Sequence, residues 1–329
     1  MSDENCLNID CLNVAMLGSR GVGKTTLLAS VYNEFDNTVK DIGLTLNPDQ
    51  GTSSILQQRL AELKRQTDVF SATGGIDGTN SPKDFLFDLG MIGKPAELRL
   101  IFKDFPGGYI VDNQKEVIRI LDQADVILLA IDTPAMVEAK GAWHEKINTP
   151  QLILDLFKKI VQNLDKTTKT KLLILVPVKC ESYVQSNNDA KKMLATLKEN
   201  YSALLNLLKA DILLDKFAVV VAPVQTLGSV RFTRIEEEEP GEPKFFFRKT
   251  SPQAFYQPQD VEQILRYTLS FAIRKYLDDM GFFKRLINHI FSISQQFEAG
   301  VRKMAGSARK EDSDGFEVIQ GKNLINSKQ

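Results

Sequence analysis

The sequence predicts an α/β fold, in which a mostly parallel sheet carries helices on both faces, and three observations support this class. Strand-like and helix-like runs alternate along the chain, as they do in parallel sheets joined by crossover helices. The runs 126–131 and 172–176 are apolar at every position, which is typical of central strands buried on both faces. The 329 residues are 43% hydrophobic and 25% charged, which is enough for a sizeable core.

The individual elements follow in the order that this class requires. Strands are predicted at 12–17, 84–89, 97–102, 125–131, 171–177 and 217–223. Helices are predicted at 24–36, 114–122, 150–163, 188–209 and 258–277. The second and third strands follow each other without a helix, and residues 90–95 contain the glycines and proline of a turn. This pair is therefore predicted as an antiparallel hairpin at one edge of the sheet.

Three segments go beyond this minimal fold, which we assign to a main domain at 1–280. An inserted helix is predicted within 45–70 from apolar residues at helical spacing. A β-hairpin is predicted at 229–249 around an acidic turn. Apolar residues at helical spacing predict an amphipathic helix at 281–305, and polar composition predicts a disordered tail at 306–329. The amphipathic helix is expected to pack on the main domain or on a partner helix, and attachment to a membrane surface is the weaker alternative.

Charge and composition favour no general affinity for nucleic acid. The chain has 41 basic and 42 acidic residues and a formal net charge of -1, so no overall field attracts a polyanion. Its first residues are acidic and polar, and no stretch reaches the length of a membrane-spanning helix. A cytoplasmic location is the expectation from these features. Three cysteines and two histidines are too scattered for a metal-ligand pattern.

A phosphate-binding loop is predicted directly after the first strand. The Walker A pattern G-x-x-x-x-G-K-[ST] is formed by Gly18, Ser19, Arg20, Gly21, Val22, Gly23, Lys24 and Thr25. Its backbone N–H groups would surround a phosphate chain, Lys24 would reach the β and γ oxygens, and the Thr25 hydroxyl would ligate Mg²⁺. Thr26 and the start of the following helix would add further contacts and positive partial charge. The alternative is an ordinary glycine turn.

A second phosphate-side segment follows the third strand, where the chain reads Asp104-Phe105-Pro106-Gly107-Gly108. An aspartate at this strand end can hold the water shell of Mg²⁺, and the Gly107 amide can sense a γ-phosphate. A surface turn that uses Asp and Gly for backbone reasons is the alternative.

A base-reading segment is predicted after the fifth strand. Lys179 could lie along one face of a purine, and Glu181 could accept hydrogen bonds from both guanine N1–H and the exocyclic amine, whereas adenine offers neither donor in that arrangement. The pattern departs twice from the usual N/T-K-x-D, through Val178 and through Glu181 itself. Residues 222–228 stand where the remaining base-contact loop is expected.

With these segments in this order, residues 10–277 resemble the P-loop GTPases of the TRAFAC class. Asp104-Phe105-Pro106-Gly107-Gly108, Lys179-Cys180-Glu181 and the hairpin-bearing loop look most like the GTPase domains of bacterial conflict (defence) systems. The resemblance implies a Ras-like P-loop NTPase fold and a GTP/GDP-dependent switch that uses Mg²⁺. It also implies a protein partner, either an effector or an activator, or a second copy of the chain.

Hydrolysis is expected to be slow. In Ras-like relatives a glutamine follows the glycine of D-x-x-G and orients the attacking water, and Gly108 has no side chain for this task. Another residue, dimerisation or a partner would then assist, and an unassisted turnover above roughly 1 per second would contradict the expectation. Arg20 is a possible internal charge donor, although a solvated or ion-paired loop residue is the favoured interpretation.

The first switch is expected between the first helix and the second strand. Residues 73–82 supply glycines and hydroxyls there, and a threonine can close over Mg²⁺ when a γ-phosphate is present. Thr79 is the favoured threonine for this role because it is nearest the strand, and Thr73 and Thr52 remain as other candidates. The alternative is a plain loop role for all three.

Two other classes of function remain beside the switch. An ATP-using P-loop enzyme would make Lys179-Cys180-Glu181 a plain strand-end loop. A scaffold that holds nucleotide without turnover is suggested by Gly108.

Overall fold

The computed structural model describes residues 9–39, 41–68, 81–164, 169–239, 241–278, 295–309 and 314–325. Its strands are β1 (Asp10–Leu17), β2 (Leu44–Pro48), β3 (Lys83–Met91), β4 (Ala96–Asp104), β5 (Val126–Asp132), β6 (Lys171–Val178), β7 (Phe217–Val221), β8 (Val230–Glu239), β9 (Glu242–Lys249) and β10 (Glu317–Gln320). Its first six α-helices are α1 (Lys24–Val39), α2 (Gln50–Asp68), α3 (Tyr109–Asp112), α4 (Gln114–Gln123), α5 (Thr133–Val137) and α6 (His144–Asn148). The remaining ones are α7 (Pro150–Leu164), α8 (Asn187–Asn200), α9 (Ser202–Leu208), α10 (Glu262–Asp278), α11 (Gln295–Gly306) and α12 (Lys322–Ile325).

The central sheet has eight strands in the order β10-β7-β6-β5-β1-β4-β3-β2. The five strands from β7 to β4 run parallel to one another, whereas β3 and β10 run antiparallel to their neighbours. Every residue of β5 and β6 is buried. The predicted α/β class with a mostly parallel sheet and buried central strands is therefore confirmed.

Each face of the sheet has its own hydrophobic core. Alternate residues of β1 show the division, since Leu12, Val14 and Met16 join one core and Ala15 and Leu17 the other. Helices α1, α2, α10 and α11 cover the first face, and α4, α7, α8 and α9 cover the second. Among the described residues, no helix is both long enough and apolar enough to cross a membrane.

All six predicted strands and the antiparallel pairing of β3 with β4 are confirmed. The prediction that this pair forms the edge of the sheet is wrong, because β2 pairs antiparallel with β3 and is itself the edge strand. The inserted helix of 45–70 is α2, which follows this extra strand. A five-residue run that ends in Pro48 gives a weak strand signal, although an edge strand tolerates proline. The predicted helix 188–209 is two helices, which meet at Tyr201.

The C-terminal segment is more ordered than its composition predicts. The disordered tail expected at 306–329 is contradicted at 314–325, where β10 pairs with β7 and α12 follows. The edge of β7 offers unpaired backbone groups that β10 satisfies. The apolar residues that anchor this segment are few and spread among polar ones, and they are buried: Phe316, Val318, Leu324 and Ile325.

Part of the predicted amphipathic helix is seen as α11, and residues 281–294 lie outside the described part of the chain. Helix α11 packs on α10 and buries Phe297, Val301 and Met304 in the core on that face of the sheet. For this part of the segment, packing on the main domain is confirmed.

The topology brings the candidate segments together. The carboxyl ends of the parallel strands meet at one edge of the sheet, where open α/β folds bind ligands. The segments at this edge are 18–23, 105–108, 133–149, 179–182 and 222–229, of which 133–149 contains the short helices α5 and α6.

Candidate functional site

The loop between β1 and α1 has a backbone that requires glycine. Gly18, Gly21 and Gly23 have φ values of 144°, 77° and 115°, a range that side-chain-bearing residues rarely adopt. A Cβ atom at Gly18 would also lie 2.8 Å from the carbonyl oxygen of Ala130 in β5, whereas one at Gly21 or Gly23 would meet open space. The Walker A sequence therefore forms a tight loop packed on the neighbouring strand, with its glycine-rich part facing a free volume.

Lys24 turns back across this loop. Its Nζ donates to the carbonyl oxygens of Gly18 at 2.8 Å and Ser19 at 3.3 Å, and the residue is only 7% exposed. Burial lowers the pKa of Lys24, and the charge of Asp104 opposes part of this effect. The loop therefore holds a desolvated cation, which a bound anion would stabilise.

Thr25 and Asp104 place a hydroxyl and a carboxylate side by side. Strands β1 and β4 are neighbours with Met16 opposite Asp104, so the start of α1 meets the end of β4. The Thr25 hydroxyl donates to Asp104 Oδ2 at 2.7 Å, and Asp104 is 1% exposed. A hydroxyl and a carboxylate are a donor set that fits Mg²⁺, which keeps most of its waters and binds few protein groups.

Gly107 lies directly against the phosphate loop. A Cβ atom at Gly107 would come within 2.0 Å of the Arg20 nitrogen and 2.2 Å of the Ser19 carbonyl carbon. The next residue, Gly108, has helical φ and ψ values and leads into α3. The two segments predicted from separate motifs are therefore in contact, and only a residue without a side chain fits between them.

Arg20 itself is exposed, in agreement with the interpretation of a solvated or ion-paired loop residue.

Lys179 bridges the ends of β5 and β6. Its φ is 60°, and its Nζ donates to Asp132 Oδ2 at 2.5 Å. Asp132 is buried and also caps α5, because its Oδ1 accepts a hydrogen bond from the Ala135 amide at 2.9 Å. On the other side, the Lys179 Nζ lies 5.6 Å from the centre of the Phe247 ring in β9. The predicted base-side lysine is thus held between a strand end and the β8–β9 hairpin.

Glu181 has partners that the sequence did not indicate. It is 4% exposed, and its Oε1 accepts hydrogen bonds from the amides of Leu227 at 2.9 Å and Gly228 at 3.1 Å. Burial raises the pKa of Glu181, and these backbone bonds oppose the shift. The predicted guanine contact needs both carboxylate oxygens, so it conflicts with an arrangement that commits one of them to the 222–229 loop.

The first-switch threonines are mostly outside the described residues. Thr79, the favoured candidate, and Thr73 lie in 69–80, which the structure does not describe. Thr52 is buried at the start of α2, where its Oγ1 accepts a hydrogen bond from the Leu86 amide at 2.9 Å. This bond fastens α2 to β3, so the structure gives Thr52 a structural role in place of the switch role left open for it.

Residues 132–149 contribute to the site in a way that the sequence reasoning missed. Asn148 binds the Asp132 backbone through two hydrogen bonds. The Asp132 amide donates to Asn148 Oδ1 at 2.7 Å, and Asn148 Nδ2 donates to the Asp132 carbonyl oxygen at 3.0 Å. Thr149 Oγ1 lies 3.1 Å from Ser19 Oγ in the phosphate loop. The Asp-x-Pro sequence at 132–134 is a recognisable helix N-cap, but no local pattern singles out Asn148 or Thr149.

We expect acid to weaken the fold through His144, a buried residue of this segment. His144 is 4% exposed, and its Nδ1 lies 3.0 Å from Asn148 Nδ2. Burial lowers the pKa of His144 from 6.5 to about 4. A lowered folded-state pKa means that the unfolded chain binds the proton first, so this contribution to stability is full above pH 6.5 and is lost as the pH falls toward 4.

Denaturant unfolding between pH 4 and 7 measures this effect. The free energy of unfolding should fall with acid, and His144→Gln should flatten the slope within that window. An equal slope in the variant would contradict the assignment.

No known protein-family model matches the sequence, and no curated protein matches it significantly. Among solved structures, the chain is similar to the S. cerevisiae Ski7 GTPase-like domain bound to GTP, at 18% identity over 65% of this chain and 43% of that one, with a TM-score of 0.38. It is similar to the signal recognition particle receptor SRb-GTP/SRX complex from Chaetomium thermophilum, at 11% identity over 66% and 91% of the two chains, with a TM-score of 0.40.

A third similar structure is sup35 complexed with GDP, at 15% identity over 67% of this chain and 38% of that one, with a TM-score of 0.33. The matches thus span less than half of the Ski7 and sup35 chains. Likenesses at this level add no argument about ligand or partner.

Proposed function

We propose that this protein is a GTP-binding molecular switch of the Ras-like P-loop class that hydrolyses GTP slowly. The observation that carries the proposal is the meeting of three groups at one sheet edge. Lys24 is buried over the loop, Thr25 is hydrogen bonded to Asp104 at 2.7 Å, and Gly107 packs on the Ser19–Arg20 peptide. This combination suits a polyphosphate that carries a divalent cation.

Binding of the phosphates follows from the loop. The Lys24 ammonium now donates to two carbonyl oxygens, and phosphate oxygens would be stronger acceptors because they are charged. The open volume beside Gly21 and Gly23 leaves room for the phosphate chain. Thr25 and Asp104 would hold Mg²⁺, which, when bound, neutralises charge on the β and γ oxygens.

Slow hydrolysis follows from Gly108. This position follows Gly107, which contacts the phosphate loop, and carries no side chain that could orient a water molecule. We expect unassisted turnover below about 1 per second. The Gly107 contact with the loop would couple nucleotide state to conformation, because a γ-phosphate would act on the segment that leads into α3.

The choice between guanine and adenine rests on fewer contacts than the phosphate site does. Lys179 lies between Asp132 and the Phe247 ring of the hairpin, and from there it could cover one face of a purine. Glu181 supports guanine only through its second carboxylate oxygen, since Oε1 binds the 227–228 amides. Because one oxygen of Glu181 is occupied in this way, and because Val178 stands where the usual pattern has Asn or Thr, an ATP-binding P-loop protein is the second candidate.

Calorimetric titration with GTP, GDP and ATP in the presence of Mg²⁺ tests the proposal. We expect GTP and GDP to bind and ATP to bind more weakly. Tighter binding of ATP would favour the second candidate. Absence of binding by any purine triphosphate would refute both.

Glu181→Gln tests the base assignment specifically. A glutamine carbonyl can still accept from the Leu227 and Gly228 amides, but its NH₂ replaces the second acceptor with a donor. We expect the ratio of GTP to ATP affinity to fall about tenfold, the value of one net hydrogen bond. Thermal unfolding serves as the control for the loop. An unchanged ratio in a variant of unchanged melting temperature would assign Glu181 to loop structure alone.

The wider role is part of the same proposal. The resemblance of the Asp104–Gly108 and Lys179–Glu181 segments supports a place in a bacterial defence or conflict system. An effector, an activator or a second copy of the chain would bind near α3, where Val111 is 64% exposed. We propose no nucleic acid ligand, because the net charge of -1 favours none.

A further inference from the structure

The loop between α6 and α7 brings Thr149 to the phosphate loop from a distant part of the chain. Its Oγ1 lies 3.1 Å from Ser19 Oγ, and either hydroxyl can donate. The two residues are 130 positions apart. The contact therefore depends on how the segment that follows β5 returns to the sheet edge.

Thr149 adopts a backbone conformation that a threonine disfavours. Its φ and ψ are 48° and 47°, in the left-handed region, where a β-branched residue is an outlier. The next residue is Pro150, which favours an extended conformation before it and so adds to the cost. Glycine would take this helix C-cap position without strain. The hydroxyl contact with Ser19 is a reason for a threonine to stand here.

Several contacts hold the strained residue in place. The Thr149 amide donates to the Glu145 carbonyl oxygen at 3.2 Å, and its own carbonyl oxygen accepts from the Ile153 amide at 3.0 Å. Its neighbour Asn148 is fixed to Asp132 by two hydrogen bonds. The surrounding structure therefore determines the conformation, as is expected where strain is kept at a functional site.

Ser19 is the point at which three parts of the site meet. Its hydroxyl contacts Thr149, its carbonyl oxygen accepts from Lys24 at 3.3 Å, and its carbonyl carbon lies against Gly107. A group that fixes the Ser19 side chain thus also fixes the peptide on which the lysine and the Asp104–Gly108 segment rest.

We propose that Thr149 is a positioning residue that holds Ser19, and with it the phosphate loop, in the conformation that binds a polyphosphate. This inference rests on the proposed function of the site, and it concerns the phosphates and not the base. Under this proposal the segment after β5, residues 133–149, contributes to nucleotide affinity, although no sequence motif indicates it.

Thr149→Gly separates the functional role from a structural one. The change removes both the strain and the hydroxyl, so the nucleotide-free protein should melt at a higher temperature, while the Kd for Mg²⁺-GTP should rise about tenfold. Thr149→Ser keeps the hydroxyl and should keep the affinity. Ser19→Ala should weaken binding to a similar degree, and the double variant Ser19→Ala, Thr149→Gly should lose little more, because the two hydroxyls act as one contact.

Calorimetry with Mg²⁺ complexes of GTP, ATP and inorganic triphosphate, together with thermal unfolding, gives both readouts. Unchanged affinity in Thr149→Gly beside a wild type that binds would overturn this inference and leave the proposed function standing. A wild type that binds triphosphate but shows no preference for GTP would overturn the guanine assignment alone. A wild type that binds none of the three would overturn both.

Discussion

Replacement of Lys24 by methionine is expected to weaken GTP binding strongly and to leave a folded protein. The Lys24 ammonium turns inward over the Walker A loop, with Nζ 2.8 Å from the Gly18 carbonyl oxygen. Loss of a charge-assisted bond to phosphate should weaken binding on the order of 100-fold. Burial lowers the pKa of Lys24, so its charge costs the nucleotide-free fold free energy, and the methionine variant should remain folded.

The chain offers a matched control in a second buried lysine. Lys171 lies at the opposite end of β6, and its Nζ donates to the carbonyl oxygens of Leu121, Asp122 and Ala124 at 3.1, 2.9 and 2.5 Å. Lys171→Met removes a buried ammonium far from the loop and should leave GTP affinity unchanged. Calorimetry on both variants makes the comparison. Equal affinities for Lys24→Met and wild type would refute the phosphate site itself.

The phosphate loop was predictable because its geometry is local. Gly18, Gly21 and Gly23 permit the positive φ values that the turn needs, and the residues of the Walker A pattern are consecutive in sequence. The position of Asp104 was predictable for a related reason. It ends a strand that pairs with β1, and parallel strands present their carboxyl ends to one edge.

Contacts between distant segments were not predictable in the same way. The Glu181 bonds to Leu227 and Gly228 span 46 and 47 positions, and the partner amides belong to a loop whose path depends on the tertiary fold. A motif can mark a carboxylate as important, but it does not distinguish a ligand contact from a bond to the backbone. Thr149 had no local signal at all, because its contact with Ser19 depends on where the fold places the phosphate loop.

Weak local patterns explain the errors in the fold. Strand β10 has four residues, and its burial depends on the free edge of β7, which the sequence alone does not reveal. Strand β2 is likewise short and ends in a proline. Both strands extend the sheet at its edges, where tertiary pairing outweighs local preference.

The hairpin β8–β9 shows the same limit. Its strands were predicted, but its placement was not. Phe247 lies beside Lys179, and the Glu242 carboxylate pairs with Lys146 at 2.9 Å. The hairpin therefore contacts both the base-side segment and the segment that carries Thr149, which places it at the edge where the candidate site lies.

Gly107→Ala is expected to disrupt the site, whereas the same change at Gly108 should be tolerated. A methyl group at Gly107 would come within 2.0 Å of the Arg20 nitrogen, so either the phosphate loop or the Asp104–Gly108 segment must move. Gly107 has no positive φ, and the change therefore tests the contact and not the backbone conformation. Overpacking of this kind costs about 1–3 kcal/mol, and displacement of the loop should also weaken GTP binding.

Gly108 provides the matched comparison one residue away. Its φ of -61° and ψ of -26° suit alanine, and the nearest atom to a new methyl group is the carboxylate oxygen of Asp112 at 3.4 Å. Gly108→Ala should keep the free energy of unfolding within about 0.5 kcal/mol of wild type, as measured by denaturant unfolding, and should bind GTP normally in calorimetry. If both alanine variants behave alike in these two measurements, Gly107 does not rest on the Ser19–Arg20 peptide in solution, and the link between the phosphate loop and the Asp104–Gly108 segment fails with it.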